Sequence, residues 1–275
     1  MAQELTTARA ADGTCLAYRL RGAGSGRPRV ALVHSLAMDG SFWDAVADLL
    51  ADKAAVLTFD CRGHGASDKP PGPYTVELFA RDLADLMSHI GWPSATVAGA
   101  SMGGCVSLAF AAAYPERTEA LGLIDTTAWY GPEAPKQWAE RADRALSAGL
   151  ADLVEFQTTR WFGDRFRQEH PDVVQQCVDV FLASDIAAYA ETCRMLGACD
   201  LRSSLSRIRA PTRIVVGEED YTTPVKMAED LHAALAGSSL TVLPKARHLT
   251  PLEVPRAIAA EIEALLAKTA AAAAR

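Results

Sequence analysis

Short apolar runs separated by amphipathic segments dominate the pattern of hydrophobic and polar positions along the chain. Six runs of four to six residues have the length and composition of strands buried on both faces of a sheet. They lie at 30–33, 55–59, 95–100, 120–124, 212–216 and 240–243. Two further segments, 5–10 and 15–21, flank the turn 11–13 and predict an N-terminal β-hairpin. This alternation predicts an α/β fold with a mostly parallel eight-stranded sheet and helices on both faces.

The alternation of strands and helices stops after Asp125 and resumes near residue 201. Residues 126–200 show four helical patterns and no convincing strand. An insertion of this size is expected to form a helical cap over the carboxyl edge of the sheet, where open α/β sheets bind ligands. We therefore predict a core domain from 1–125 and 201–268, a helical cap at 126–200, and a disordered tail at 269–275.

Composition and charge narrow the classes of function. Hydrophobic residues make up 49% and charged residues 22% of the chain, enough apolar material for a large globular core. The 27 lysines and arginines against 34 aspartates and glutamates give a net charge of −7. That balance argues against nucleic acid as a partner, because no basic surplus is available for phosphates. With no signal-like or membrane-spanning segment, we expect a cytoplasmic protein without a membrane partner and with reduced, mostly buried cysteines.

The stretch 95–114 combines a buried strand, a turn that holds one serine, and a helix. Gly99-Ala100-Ser101-Met102-Gly103 fits the G-x-S-x-G pattern of a nucleophile elbow, in which a strained turn exposes the serine hydroxyl. Small residues two positions before and after the serine keep neighbouring backbone segments from colliding. The alternative is a serine that caps an ordinary helix of an α/β unit.

Two later residues meet the chemical needs of a serine nucleophile. A serine hydroxyl needs a base within hydrogen-bond reach and an acid that orients this base. Asp220 and His248 each lie in a loop just after a predicted strand. Asp125, at the end of the strand 120–124, is an alternative acid. The histidines and acids show no metal-ligand spacing, so we expect no metal ion.

Together these motifs resemble the α/β-hydrolase superfamily. The resemblance rests on the elbow, on the G-x-x-D-x-x-x-P loop 217–224, on His248, and on the segment 60–68, which is similar to D-x-R-G-x-G-x-S. It covers nearly the whole chain and implies the α/β-hydrolase fold, a triad of Ser101, His248 and Asp220, and no cofactor. Asp220 is favoured over Asp125 because Asp220 lies in the matching loop.

The resemblance also implies an oxyanion hole formed by two backbone N–H groups. One is expected from Met102, the residue after the nucleophile, and the other from Leu36 in the loop after the strand 30–33. The superfamily often has His-Gly in this loop, whereas this chain has His34-Ser35 and lacks the conformational freedom of glycine there. We expect His34 to hold the loop by hydrogen bonding.

Within the superfamily, the chain is most similar to hydrolases of the 3-oxoadipate enol-lactonase type. This resemblance lies in 35–39, 42–44, 99–104 and 160–162. It implies hydrolysis of a small ester or lactone through an acyl-enzyme, with an arginine for a substrate carboxylate. Such enzymes tend to have an arginine after the strand that follows the elbow helix. This chain has Ala128-Trp129-Tyr130 there.

We therefore assign the substrate-binding roles to residues of the predicted cap. Arg160 or Arg194 is expected to bind a carboxylate, and of the two we place Arg160 in the pocket, because an arginine beside Trp161-Phe162 can be held by stacking. Trp129 and Trp161 are expected to shape the acyl pocket. The same triad also serves C–C bond hydrolysis and cofactor-free perhydrolysis, and a ligand receptor could retain it with vestigial turnover. The oligomeric state stays open.

Overall fold

The computed structural model describes residues 5–22, 24 and 26–273, and its strands form one sheet. The strands are Thr6–Arg9 (β1), Cys15–Arg21 (β2), Arg29–Val33 (β3), Ala55–Phe59 (β4), Ala95–Ala100 (β5), Thr118–Ile124 (β6), Thr212–Gly217 (β7) and Ser239–Leu243 (β8). Their order is β1-β2-β4-β3-β5-β6-β7-β8. β2 pairs antiparallel with β1 and β4, and all other pairs are parallel. The predicted mostly parallel eight-stranded sheet is confirmed.

Helices cover both faces of this sheet. They are Asp44–Leu50 (α1), Val76–His89 (α2), Met102–Ala113 (α3), Ala134–Ala148 (α4), Val154–Trp161 (α5), Asp164–Glu169 (α6), Pro171–Leu182 (α7), Ile186–Ala198 (α8), Val225–Ala234 (α9), Thr250–Glu253 (α10) and Pro255–Ala273 (α11). α1 packs beside α11, and α2 packs beside α3. β4 and β5 are buried along their whole lengths, which explains their continuous apolar sequences.

The segment between β6 and β7 is helical, as its sequence pattern predicts. We call residues 126–200 the cap segment; it contains α4 to α8. The short helix α6 was not predicted, because fewer than two turns are too short to show an apolar stripe. A single β-bridge between Trp129 and Asp200 joins the two ends of the segment. Apolar residues of the cap segment and of the sheet belong to one continuous core.

The C-terminal helix is longer than the sequence predicts. α11 continues to Ala273, so the prediction that the tail 269–275 is disordered is wrong as far as residue 273. Alanine has the highest helix propensity of all residues and extends the helix without needing tertiary contacts. Residues 274–275 of the predicted tail lie outside the described residues.

Cysteine burial and helix hydropathy complete this description. Five of the six cysteines are buried and Cys15 is partly exposed, in agreement with the predicted buried thiols. Within the described part of the chain, no helix combines the length and apolar composition that a bilayer crossing needs.

Candidate active site

Ser101 occupies a strained turn between β5 and α3. Its backbone has φ 53° and ψ −117°, values that residues other than glycine seldom adopt. A Cβ atom on Gly99 would lie 2.0 Å from the carbonyl oxygen of Gly103, and one on Gly103 would lie 2.1 Å from that of Val33. The Ser101 side chain makes no capping hydrogen bond to α3. The local structure is therefore the predicted elbow and not an ordinary helix cap.

His248 and Asp220 continue from the Ser101 hydroxyl in a hydrogen-bonded row. His248 Nε2 lies 2.9 Å from Ser101 Oγ, and His248 Nδ1 lies 2.8 Å from Asp220 Oδ2. The three residues are buried, with 6% or less of their surface exposed. Asp220 Oδ1 accepts the backbone N–H groups of Thr222 and Thr223 at 2.8 and 2.9 Å. Because Asp220 faces Nδ1, Nε2 is free to accept a proton from Ser101.

Backbone groups of the cap segment hold the loop that carries His248. The carbonyl oxygen of Trp161 accepts the N–H groups of His248 and Leu249 at 3.2 and 3.0 Å. The Arg247 guanidinium donates to the carbonyl oxygen of Phe162 at 3.0 Å. The end of α5 therefore rests directly on the histidine loop.

Asp125, the alternative acid, lies behind this row and not on the imidazole. Its Oδ1 accepts the backbone N–H of Gly217 at 3.0 Å. Its Oδ2 accepts the backbone N–H of Thr250 at 3.2 Å and the Thr250 hydroxyl at 2.6 Å. The structure therefore brings Asp220, and not Asp125, into contact with His248.

The two N–H groups expected to form an oxyanion hole belong to Leu36, which borders a cavity at Ser101, and to Met102, the residue next to Ser101. Ser35 and Leu36 line the cavity together with Ser101. Among the described residues, neither the N–H of Leu36 nor that of Met102 has a hydrogen-bond acceptor. Both groups are thus free to donate to a negative charge that develops near Ser101.

His34 holds the loop before Leu36. Its Nδ1 donates to the carbonyl oxygen of Ser35 at 2.7 Å, and its Nε2 accepts the N–H of Cys61 at 2.9 Å. Burial lowers the pKa of His34 and favours this neutral form. The left-handed residue of the loop is Ala37, with φ 57°, and not Ser35. The missing glycine therefore causes no strain at the His-Ser step.

A narrow cavity at Ser101 adjoins a larger chamber under the cap segment. The volumes are about 20 Å³ at Ser101 and about 580 Å³ in the chamber. Five residues line both spaces: Tyr130, Trp138, Arg141, Arg160 and Thr222. The inner space has room for about one water molecule, so these five side chains lie between Ser101 and the chamber.

Two arginines face this space without a carboxylate partner among the described residues. Arg141 Nε donates to the hydroxyl of Tyr189 at 2.7 Å, and its guanidinium lies 4.8 Å from the centre of the Trp138 ring. The Arg160 guanidinium lies 3.7 Å from the centre of the Phe156 ring. Burial lowers the pKa of Arg160, and the positive charge of Arg141 lowers it as well. A bound anion would relieve this repulsion.

Of the three candidate binding residues, the structure places Trp129 away from the cavity. Trp129 does not line the cavity, because its ring lies against the Arg202 guanidinium at 3.7 Å. Its neighbour Tyr130 lines the cavity instead, since successive side chains of an extended segment point in opposite directions. Arg194 is an exposed residue with an ion pair to Glu191 at 2.6 Å. The prediction for Trp129 is wrong, whereas Trp161 lines the cavity and so does Arg160, the arginine chosen over Arg194.

No cluster of three histidine, cysteine or carboxylate side chains suited to a metal ion occurs in the described part of the chain. Two residues of the cavity wall, Arg141 and the buried Gln157, were not singled out from the sequence. Arg141 directly precedes Ala142, one of the buried residues of α4, and this position is the signal that it could turn inward.

Known proteins with similar sequences and structures include hydrolases. A family model described as alpha/beta hydrolase fold matches residues 28–255. The chain is 32% identical to 3-oxoadipate enol-lactonase 2 of Acinetobacter baylyi over 240 residues, which cover 87% of this chain and 89% of that enzyme.

Two solved structures are similar over almost the full length. The enol-lactonase from Burkholderia xenovorans LB400 has a TM-score of 0.91 at 32% identity, with coverage of 95% of this chain and 100% of that one. A thermophilic esterase from Thermogutta terrifontis, with malate bound, has a TM-score of 0.89 at 30% identity, with coverage of 98% and 99%. The similarity therefore includes the cap segment as well as the sheet.

Proposed function

The chain belongs to the α/β-hydrolase family and is a hydrolytic enzyme, and on this premise we propose that it cleaves a small ester or lactone with Ser101 as nucleophile. The observation that carries the proposal is the row from Ser101 Oγ through His248 to Asp220, with contacts of 2.9 and 2.8 Å. It supplies the base and the orienting acid that a serine hydroxyl needs at neutral pH.

The proposed reaction proceeds through an acyl-enzyme. Ser101 Oγ attacks the carbonyl carbon while His248 Nε2 takes its proton, and the N–H groups of Leu36 and Met102 donate to the resulting oxyanion. Collapse of this intermediate breaks the ester C–O bond, and His248 returns the proton to the leaving oxygen. In a lactone that oxygen stays attached to the acyl chain. Water activated by His248 then releases the carboxylic acid and restores Ser101.

For the substrate, we propose a lactone or ester that carries a carboxylate. Arg141 and Arg160 support this proposal, because both border the route to Ser101 and neither has a carboxylate partner in the described residues. A charge-assisted hydrogen bond from an arginine contributes about 1.5–3 kcal/mol. The similar proteins support a substrate of this class, since two are enol-lactonases and the esterase structure contains malate, a dicarboxylate. Trp161 is proposed as a wall of the acyl pocket; its ring packs edge-on against Phe181 at 5.7 Å.

A substrate panel tests this function against the alternatives. We would measure steady-state turnover on lactones that carry a carboxylate, on their methyl esters, and on simple neutral esters. The proposal predicts many turnovers per enzyme molecule and a higher kcat/KM for each carboxylate than for its methyl ester. One covalent event without further turnover would instead support a receptor. Parallel assays of carbon–carbon bond cleavage and of peracid formation complete the panel, and activity confined to either assay would support that chemistry instead.

A further inference from the structure

Asp125 is a fully buried carboxyl group that the proposed reaction does not use. It follows the last residue of β6 and has φ 47°, so it occupies the left-handed region, as Ser101 does at the end of β5. Its own N–H donates to the carbonyl oxygen of Val215 on the neighbouring strand β7 at 2.9 Å. Strained residues of this kind persist where the surrounding structure holds them and often lie near functional sites.

The three hydrogen bonds of the Asp125 carboxyl group connect two loops. Gly217, bonded to Oδ1, is the last residue of β7 and begins the loop that carries Asp220. Thr250, bonded to Oδ2 through its N–H and its hydroxyl, begins α10 directly after the loop that carries His248. The loops also touch each other, since a Cβ atom on Gly217 would lie 2.0 Å from the carbonyl oxygen of Arg247. One carboxyl group therefore spans the acid loop and the histidine loop.

We propose that Asp125 is a positioning residue, which holds these two loops at the separation that keeps Asp220 against His248. The inference rests on the proposed function, because it assigns Asp125 a part in the same reaction. Asp125 touches neither the reacting atoms nor, by the contacts described above, the imidazole. Its effect on the reaction is transmitted through Gly217 and Thr250.

The unfavourable surroundings of Asp125 support a role beyond packing. Burial raises the pKa of Asp125 well above its ordinary value, and the negative charge of Asp220 raises it further. A buried carboxyl group beside a second one costs stability, and an apolar residue of similar size would avoid this cost. The hydrogen bonds from Gly217 and Thr250 to the Asp125 carboxyl group offset part of this cost.

Four variants separate positioning from general stability. Asp125→Ala removes all three bonds, Thr250→Val removes only the hydroxyl bond, and Thr250→Ser keeps all of them. Asp82→Asn is the matched control, because Asp82 is also a buried carboxylate but pairs with Arg62 at 2.5 Å away from both loops. Since a displacement near 1 Å costs about 100-fold in rate, we expect Asp125→Ala to lower kcat roughly 10- to 100-fold with KM nearly unchanged.

Among the Asp125 and Thr250 variants, kcat should fall as hydrogen bonds between the Asp125 carboxyl group and the two loops are lost. Thr250→Val should lose less kcat than Asp125→Ala, Thr250→Ser should stay near wild type, and Asp82→Asn should lower the melting temperature without changing kcat. Asp220→Asn should lower kcat about 10⁴-fold, because Asp220 faces the imidazole. Asp125→Asn should lower kcat less, because Asp125 does not contact the imidazole. If Asp125→Ala does not fold, Thr250→Val carries the test, and an unchanged kcat in that variant would overturn the proposal. A larger loss from Asp125→Asn would also overturn it and make Asp125 the acid.

A measurement without substrate keeps the inference separate from the proposed function. The proton on His248 Nδ1 that faces Asp220 should give a downfield NMR resonance, assigned by its absence in His248→Gln. We expect this resonance to broaden or disappear in Asp125→Ala and to persist in Asp82→Asn and Thr250→Ser. An unchanged resonance in Asp125→Ala, or its loss in Asp82→Asn, would contradict positioning by Asp125. Activity that persists in Ser101→Ala would contradict the proposed function. The resonance of His248 would still show whether Asp125 positions the two loops.

Discussion

The carboxyl edge of the sheet and the chamber under the cap segment hold their functional groups by different means. Ser101, Asp220 and His248 stand at or just beyond strand ends, and backbone hydrogen bonds and close backbone contacts set their positions. In the chamber, Arg141 and Arg160 extend from helices of the cap segment and are held mainly by other side chains. Side chains at the carboxyl edge therefore have little room to move, whereas those of the chamber can be replaced one at a time.

This difference assigns separate tasks to the two regions. The proposed reaction needs the hydroxyl, the imidazole and the carboxylate at fixed distances from one another, and the backbone sets these distances. Recognition of a charged group needs only that a long side chain reach it, so it can be gained or lost without disturbing the sheet. We therefore expect substitutions at the edge to abolish activity and substitutions in the chamber to change which substrate is preferred.

The largest effect is expected at the edge, from Ser101→Ala. Without the nucleophile, hydrolysis of every substrate should fall about 10³- to 10⁶-fold, because binding and the oxyanion donors alone give only residual catalysis. Steady-state kinetics on the folded variant, with circular dichroism as the control, measures this loss. Retention of more than one tenth of the activity on any substrate would mean that chemistry does not depend on this edge.

A graded and selective effect is expected in the chamber. Arg141→Met and Arg160→Met should each lower kcat/KM for carboxylated lactones about 10- to 150-fold, which corresponds to 1.5–3 kcal/mol, and leave neutral esters of similar size nearly unchanged. Arg194→Met, an exposed arginine of the same segment, is the matched control and should change neither class. Equal losses on charged and neutral substrates would show that the two arginines support the cap segment and do not recognise charge.

The smallest effect concerns stability and compares a buried histidine of the core with an exposed histidine of the cap segment. Burial and the neighbouring His34 lower the pKa of His64 in the core to about 3, from 6.5 in the unfolded chain. Between these values the unfolded chain binds the proton and the native protein does not. Stability is therefore complete above about pH 6.5 and falls as pH decreases toward 3.

Urea unfolding at several pH values tests this dependence. His64→Phe should make the loss of unfolding free energy between pH 6 and 4 less steep, by up to about 1.4 kcal/mol per pH unit. His170→Gln replaces an exposed histidine of the cap segment. In this variant the unfolding free energy should fall with pH as steeply as in wild type. If the two variants have the same slope, the acid sensitivity does not come from the buried histidine.

The same contrast explains what the sequence could predict. Strand ends are visible as the limits of apolar runs, and the motifs around Ser101, Asp220 and His248 follow those ends directly, so local patterns locate them. Asp125 was found in this way too, although its hydrogen bonds to Gly217 and Thr250 were not predicted. These partners depend on how neighbouring strands and loops meet, and no local pattern records that.

The chamber was predicted less well because its walls come from distant parts of the chain. Arg141 turns inward through the hydroxyl of Tyr189, 48 residues away, and a polar residue beside an apolar stripe is usually at the surface. Trp129 and Tyr130 are adjacent, and which of them faces the cavity depends on the direction in which the chain leaves β6. Both outcomes require the packing of the cap segment to be known.

Labelling with a fluorophosphonate, followed by mass spectrometry of the digested protein, tests the central proposal most directly. Such reagents react with a serine that a neighbouring base activates, and the modified peptide identifies the residue. We predict one adduct, on Ser101, that is absent from Ser101→Ala and strongly reduced in His248→Gln. An adduct on another residue, or one that persists in Ser101→Ala, would contradict the assignment of the nucleophile and with it the proposed reaction.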